Sequence, residues 1–473
     1  MNQTVAAPSL SQRIEDNAVL IFITGLICFL GYVCLKDSGP GLLAFLGAFV
    51  GAGFFFITGL YRGLLKPELA LYVLTAYLPF SNELRFIVGK GLNLINLLVV
   101  IIAFFWFKYR DKSKPILLKT PLNVPLFIFL ALGLISVFRG AGYGMGFLLN
   151  AGIEYYRVWG VPAFLYFLVV NAGYNETVIK NLIKIMMMVT IIIGLMSIYQ
   201  YLDGDDRVYG VMNQPNQLAA FFNYYMFLFF AFFLMNPRTN WFHLIFFLIT
   251  FRGIMVTFSR AGYLAFVAGL YTIICFRSRL LLILLVLGTA LLFVNPALIP
   301  EGIRYRMGQT FEKPNVKYLE NGQVDTSSLD PSVGNRIKVW HGAMAMIKEH
   351  PMFGVGFYMF EKKILHYWTG WLAHDPHNSY LLIAAEMGIP TLLVFCWIIW
   401  LIFWSSQKLY RKSGDPFIKT ISLGMIAGVP SLLVSNIYGC RLNSVEVTSY
   451  FWMLSGIIVR WNMLEGEKLK NVE

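Results

Sequence analysis

Long apolar runs separated by short polar segments recur along the whole 473-residue chain. About 20 apolar residues in a helix cross the roughly 30 Å hydrocarbon core of a bilayer. We predict spans at 18–35, 41–61, 68–82, 91–107, 121–138, 158–174, 180–202, 215–235, 240–258, 261–276, 280–299, 378–404, 416–438 and 445–461. Charged residues make up only 13% of the chain, against about 25% in soluble proteins. The sequence therefore predicts an all-α polytopic membrane protein of about 12–14 transmembrane helices, the lower number applying if the short runs 68–82 and 261–276 are re-entrant.

The net charge of +13 is interpreted through the membrane, because Lys and Arg concentrate in cytoplasmic loops and near anionic lipid. With the N-terminus in the cytoplasm, the strongly basic loop 108–119 and the basic loop 408–412 both fall on the cytoplasmic side. The C-terminal tail falls there too. We therefore expect cytoplasmic termini, membrane lipids as partners, and no nucleic acid.

One long polar interval interrupts the apolar runs and carries five of the six histidines. It divides the chain into N-terminal spans (1–299), an extracytoplasmic loop domain (300–377), and C-terminal spans with a cytoplasmic tail (378–473). Apolar residues at helical spacing predict a helix over 334–350 within the loop. An interval of this length between spans usually carries function.

Among the arginines on the predicted extracytoplasmic side, Arg207, Arg260 and Arg336 are the candidates for a binding site. Guanidinium groups gather where a phosphate must be bound in a bidentate manner. The simpler interpretation is that each arginine reaches lipid headgroups or pairs with a carboxylate.

Two ionisable residues fall inside predicted spans. Arg252 lies roughly 9 Å below the predicted outer interface, counting 1.5 Å per helical residue, and Glu386 lies at a similar depth. Such residues usually face a cavity or a partner. We therefore predict that Arg252 and Glu386 pair with each other.

His374 and His377 stand in the segment His-Asp-Pro-His-Asn, directly before a predicted helix that starts at Asn378. Histidine is the side chain best suited to accept a proton near neutral pH. The alternative is that the two histidines have a structural role or face lipid headgroups. A metal-binding signature is absent, as are nucleotide-binding fingerprints, so we expect neither a metal nor a cofactor. A reaction on this side then requires a donor that is already activated and anchored in the membrane.

Several blocks of residues in the region 200–390 together resemble the O-antigen ligase and polymerase family. These blocks are Arg207 and Gly210, Pro215–Asn216 with Ala219, Ser259-Arg260-Ala261-Gly262, Arg336 with Trp340 and Ala343, His350–Pro351, Gly354 with Gly356 and Phe360, and His377–Asn378 with Leu381 and Gly388.

The resemblance implies a GT-C-like membrane enzyme with a large periplasmic loop in the bacterial inner membrane. It would be a metal-independent, inverting glycosyltransferase that moves a glycan from undecaprenyl diphosphate to a hydroxyl. By the resemblance, Arg207 and Arg260 bind the diphosphate and Arg336 assists. His377 is the candidate base, with His374 beside it.

We add Asn216, Arg252, Glu386 and Asn378 as supporting residues, and expect Arg207, Arg260 and His377 to share one hollow.

The acceptor distinguishes the members of this family. A ligase uses lipid A–core, which we favour here, whereas a polymerase uses a growing lipid-linked glycan and an oligosaccharyltransferase uses a protein hydroxyl. A transporter or flippase of lipid-linked glycan is the alternative from a different class.

Overall fold

The computed structural model describes residues 68–298 and 331–470, apart from short gaps at 82–86, 90–91, 111, 113–114, 172–175 and 368–372. Between 299 and 330 it describes only Arg304 and two pairs of strand residues. The predicted spans 18–35 and 41–61, and most of the first third of the loop domain, lie outside the described residues.

Helices account for almost all of the regular structure in the described part of the chain. The helices before the long loop are α1 (Glu68–Tyr77), α2 (Leu94–Tyr109), α3 (Asn123–Phe138), α4 (Met145–Tyr155), α5 (Val161–Asn171), α6 (Glu176–Leu202), α7 (Pro215–Met235), α8 (Phe242–Val256), α9 (Arg260–Arg277) and α10 (Arg279–Val294). Those in and after the loop are α11 (Pro331–Glu349), α12 (Phe360–Tyr367), α13 (Ser379–Met387), α14 (Ile389–Lys412), α15 (Pro416–Ser435) and α16 (Val445–Lys470).

Short elements connect some of these helices. Single 3-10 turns are found at Leu78–Phe80, Ala141–Tyr143, Pro296–Leu298 and Arg441–Asn443. A π-helical turn, Tyr156–Gly160, joins α4 to α5 without a break. Two small antiparallel hairpins pair Ile87–Gly89 with Leu92–Asn93, and Lys317–Tyr318 with Val324–Asp325.

Five helical segments in the described residues are long and apolar enough to cross a membrane: Asn123–Tyr143, Glu176–Leu202, Pro215–Met235, Ile389–Lys412 and Pro416–Ser435. Shorter apolar helices accompany them at Glu68–Phe80, Ile95–Lys108, Phe242–Val256 and Arg279–Leu292. The protein is an all-α polytopic membrane protein, as the apolar runs predict.

Helix α7 forms the centre of the bundle and packs against α8, α9 and α15. Small residues of α15 make this close approach possible, as is usual between membrane helices. A Cβ atom added at Gly424 would lie 2.9 Å from the Cα of Leu228, and one at Gly428 would lie 2.7 Å from the carbonyl oxygen of Tyr224. This close packing of α7 against α15 therefore fixes the position of the first turn of α7.

The two ends of the bundle have different chemistry. At one end the start of α15 meets α6, where the Nζ atom of Lys180 lies 2.7 Å from Asp415. The end of α7 is there too, since the Phe232 and Phe417 rings lie 5.4 Å apart. Four basic residues near this end, Arg277, Arg279, Arg411 and Lys412, belong to loops predicted to be cytoplasmic. The opposite end holds the first turn of α7 and the loops that carry the predicted site residues.

The structure corrects the predicted single span at 378–404. Gly388, with φ +91°, separates α13 from α14, and Pro390 stands at the start of α14. Residues 351–359 pack against the break, with Val355 N donating to Ala385 O at 2.8 Å and Ile389 N donating to Pro351 O at 2.8 Å. The predicted loop 139–157 also contains a helix, α4. The predicted loop helix at 334–350 is confirmed as α11.

Candidate active site

Hydrogen bonds at the start of α7 join the segments that carry Arg207 and Arg260. The Nε atom of Arg207 donates to Thr257 O at 3.0 Å, and its Nη2 atom donates to Asn216 Oδ1 at 3.3 Å. Asn216 Oδ1 also accepts a 2.8 Å hydrogen bond from the hydroxyl of Ser259. Ser259 caps α9, whose first residue is Arg260. Asn216 thus links the segments that carry the two arginines, and we call Arg207 and Arg260 the arginine pair.

Local chemistry explains why these segments meet. Pro215 opens α7, a position at which a helix needs no backbone N–H. The Ser259 hydroxyl accepts from Gly262 N at 3.1 Å, which caps one of the free amides at the start of α9. Val208 N donates to Val256 O at 3.2 Å and draws the loop before α7 onto the end of α8.

His377 is held in an unusual conformation by Asp375. Its φ of 50° lies in the left-handed region, which is uncommon for a residue other than glycine. Asp375 Oδ1 accepts from the backbone N of His377 at 2.6 Å and lies 3.0 Å from its Nδ1 atom. With Nδ1 bound to the carboxylate, Nε2 is the nitrogen available to accept a proton. The His377 side chain remains 56% exposed, so a substrate can reach it.

Asp375 suits this orienting contact because it stays ionised. Burial by itself raises the pKa of its carboxyl group. Hydrogen bonds from the His377 side chain and backbone, and from the thiol of Cys440, outweigh burial and hold that pKa below its ordinary value. The carboxylate therefore accepts hydrogen bonds throughout the neutral pH range.

Two further contacts fix the segment that carries His377. The indole Nε1 of Trp340 donates to Pro376 O at 2.7 Å. Arg336 lies one turn before Trp340 on the same face of α11, since residues four apart in a helix share a face. On the other side, Asn378 caps α13 by accepting from Tyr380 N at 2.9 Å and Leu381 N at 3.0 Å. The predicted supporting residue Asn378 therefore fixes the point at which the segment with His377 ends and α13 begins.

His374 faces a different partner. Its Nδ1 atom lies 2.9 Å from Glu361 on α12, and its side chain is 80% exposed. The hydrogen bond and the charge of Glu361 raise the pKa of His374. More of its imidazole is consequently protonated near neutral pH, and a protonated imidazole cannot accept a proton.

The predicted pair of Arg252 and Glu386 is not formed in the described structure. The Arg252 guanidinium instead lies over the Tyr201 ring, 4.9 Å from its centroid. Glu386 Oε1 accepts from Phe360 N at 2.9 Å, at the first residue of α12. Because the helix ends at Gly388, Glu386 belongs to the short helix α13, and its side chain accepts a hydrogen bond from the neighbouring loop.

A polar cavity of about 480 Å³ opens beside His377. The lining residues, which define the polar cavity below, are Tyr77, Ser81, Ile95, Asn96, Glu154, Arg157, Val161, Asn213, Gln214, Gln217, Asp375, His377, Cys440, Arg441, Asn443, Ser444, Val445 and Glu446. This volume falls within the roughly 300–1,000 Å³ typical of small-molecule sites.

The expectation of one hollow shared by Arg207, Arg260 and His377 is not met. Among the described residues, neither member of the arginine pair lines the polar cavity, and neither do Arg336 and His374. The first turn of α7 lies between the arginine pair and the cavity. Asn216 contacts Arg207, whereas Gln214 and Gln217 line the cavity. The arginine pair and the polar cavity that His377 lines therefore lie on different sides of this turn.

Two residues of the polar cavity, Arg157 and Arg441, were not identified as functional candidates from the sequence. Arg157 lies in the π-helical turn at the edge of an apolar run, where its pairing with Glu154 depends on the fold. Arg441 is only 7% exposed and donates to Gln214 Oε1 at 3.3 Å. It occupies a short loop between two spans, as Arg260 does, so the same signal was available for it.

Comparison with known proteins now bears on this site. Residues 244–396 match the profile of a family described as O-antigen ligase. The chain contains an O-antigen ligase family domain. This confirms the predicted resemblance, and it supports a glycosyltransferase-type activity of the O-antigen ligase and polymerase kind. The domain includes Arg260, Arg336 and His377, whereas Arg207 and Arg441 lie outside the matched residues. No curated protein shows significant sequence similarity to the chain.

Proposed function

We propose that the protein is an O-antigen ligase that transfers a glycan from undecaprenyl diphosphate to a hydroxyl group of lipid A–core at the periplasmic face of the inner membrane. The observation that carries the proposal is the Asp375–His377 contact in a polar cavity, with the arginine pair on the other side of the first turn of α7. The family domain supports the class of reaction.

In this mechanism the arginine pair binds the diphosphate of the donor, assisted by Arg336. Negative charge grows on the diphosphate as the bond between it and the anomeric carbon breaks, and the guanidinium groups stabilise that charge. The electron pair of the broken bond leaves with undecaprenyl diphosphate. Because the arginines supply the positive charge, the proposed reaction is metal-independent, and EDTA is expected to leave its rate unchanged.

His377 acts as the general base. The acceptor oxygen attacks the anomeric carbon from the side opposite the leaving diphosphate, which inverts the configuration. The hydroxyl proton passes to Nε2 of His377 while Asp375 holds Nδ1. His374 is the weaker candidate, because Glu361 favours its protonated form.

The test is glycan transfer by purified protein with lipid-linked glycan as donor and lipid A–core as acceptor. Release of undecaprenyl diphosphate and growth of lipid A–core are measured together. His377→Ala is expected to lower the rate by about 10²–10⁴-fold, and Arg260→Ala by about 10²–10³-fold. The matched control is His341→Ala, since His341 is an exposed histidine of α11 and its loss should leave the rate unchanged.

The same assay separates the alternatives. A polymerase would release undecaprenyl diphosphate while it extends the lipid-linked glycan, and a protein oligosaccharyltransferase would need a protein acceptor. A transporter or flippase would release none. Full activity of the His377→Ala protein would remove that residue from the mechanism.

A further inference from the structure

The polar cavity has a charge balance that does not suit a diphosphate. Its described lining contains two guanidinium groups, Arg157 and Arg441, and three carboxylates, Glu154, Asp375 and Glu446. With His377 neutral, these groups leave one net negative charge.

The two cavity arginines already have partners. Arg157 Nε donates to Glu154 Oε2 at 3.0 Å, and Glu446 is close enough to interact with Arg157 electrostatically. Arg441 donates to Gln214. A diphosphate would therefore meet one guanidinium that is already paired with a carboxylate, a second that is already hydrogen-bonded, and the repulsion of the three carboxylates.

The uncharged lining residues have a consistent chemistry as well. Carboxamide and hydroxyl side chains dominate them: Asn96, Asn213, Gln214, Gln217, Asn443, Ser81 and Ser444. A carboxamide offers two N–H donors and an acceptor oxygen, and a hydroxyl both donates and accepts. Groups of this kind, mixed with carboxylates and guanidiniums, complement the many hydroxyl groups of a sugar.

We propose that the polar cavity binds the terminal sugar of the acceptor glycan. This inference rests on the proposed function, because a general base must lie within hydrogen-bond reach of the hydroxyl that it deprotonates. His377 lines the cavity, so the hydroxyl that reaches Nε2 belongs to a sugar bound there. Gln217, Asn443 and Glu446 then recognise the acceptor.

The first turn of α7 divides the two substrates in this arrangement. Asn216 contacts Arg207 and Ser259 on the donor side, and Gln217, the next residue, faces the acceptor side. Successive residues of a helix point about 100° apart, which gives adjacent residues separate tasks.

Steady-state kinetics with each substrate varied in turn test this division. Gln217→Ala and Asn443→Ala are expected to raise the KM for lipid A–core by about five- to tenfold, as for the loss of a hydrogen bond, with the KM for lipid-linked glycan unchanged. Gln407→Ala is the matched control, because Gln407 lies on α14 at the opposite end of the bundle and leaves both constants unchanged. Equal effects of Gln217→Ala on both substrates, or none, would overturn the assignment.

A binding measurement with one substrate at a time, in which no transfer can occur, distinguishes failure of this inference from failure of the proposed function. Purified protein is titrated with lipid A–core and, in a parallel arm, with lipid-linked glycan. Weaker binding of lipid A–core to both cavity variants, with unchanged binding of lipid-linked glycan and an unchanged melting temperature, supports the acceptor site even if no transfer is seen. Weaker binding of lipid-linked glycan alone overturns it. Equal binding by wild type and both variants rejects the site even if transfer occurs.

Discussion

At the scale of single residues, the site depends on a contact that the sequence contains but does not reveal. The motifs in the chain are sufficient to nominate His377, Arg207, Arg260 and Asn216 as site residues. The bond from Asp375 to Nδ1 of His377 depends instead on a left-handed backbone at His377. No local pattern specifies that conformation, because part of its support comes from Trp340, which lies 36 residues earlier in the chain and donates to Pro376 O.

Replacing Asp375 by Asn should lower kcat by about 10²–10⁴-fold, by analogy with other oriented histidine bases. The amide keeps the size of the side chain, but it no longer secures Nδ1 as a donor, so Nε2 is not reliably the basic nitrogen. Because Asp375 acts through His377, we expect the KM for acceptor to change much less than kcat.

Glu361→Gln is the control for this substitution, since Glu361 pairs with the other histidine of the same segment. Its kcat should remain within about threefold of wild type, the size of effect expected from an exposed pair. A Glu361→Gln enzyme as impaired as Asp375→Asn would instead assign the base to His374.

At the scale of elements, the break between α13 and α14 brings the loop domain onto the bundle. The apolar run at 378–404 conceals the break from an analysis of hydropathy alone, although Gly388 followed by Pro390 is a recognised signal for a new helix. Residues 351–359, which pack against this break, are well separated from it in the sequence, so only the tertiary structure shows the contact.

Gly388→Ala should destabilise this junction. Gly388 has φ +91°, and an added Cβ atom would lie 2.2 Å from Met352 O, a backbone atom that cannot move away alone. We expect a loss of at least about 1–3 kcal/mol in unfolding free energy from backbone strain, measured as a lower melting temperature in detergent.

The control is Gly142→Ala, because an added Cβ atom at Gly142 meets nothing within 4 Å. Its melting temperature should match that of wild type. If Gly388→Ala and Gly142→Ala had the same melting temperature, the packing of residues 351–359 against the break would not contribute to stability.

At the scale of the whole molecule, composition and loop charge predict the class of protein and the grouping of its loops. The basic loops meet at one end of the bundle and the predicted site residues at the other, as the alternation of spans requires. At the other end, the arginine pair and the polar cavity lie on different sides of the first turn of α7. The sequence did not predict this division, because it depends on how that turn is rotated.

The orientation of the bundle gives a prediction for surface labelling. In an active background without native cysteines, Gly142→Cys should react with a membrane-impermeant maleimide applied to spheroplasts, and Gly414→Cys should react only after permeabilisation. Both glycines are exposed, and they lie at opposite ends of the bundle. The reverse pattern would place the polar cavity in the cytoplasm.

Helix α10 has a further consequence for such experiments. Its apolar side chains are exposed along its length, with Leu280, Leu287 and Val294 at 66%, 61% and 82%, and α9 is its main neighbour. A carbene reagent dissolved in the acyl-chain phase will consequently modify α10 heavily and leave the enclosed α7 almost untouched. Mass spectrometry of the tagged peptides then outlines the lipid-contacting perimeter of the protein.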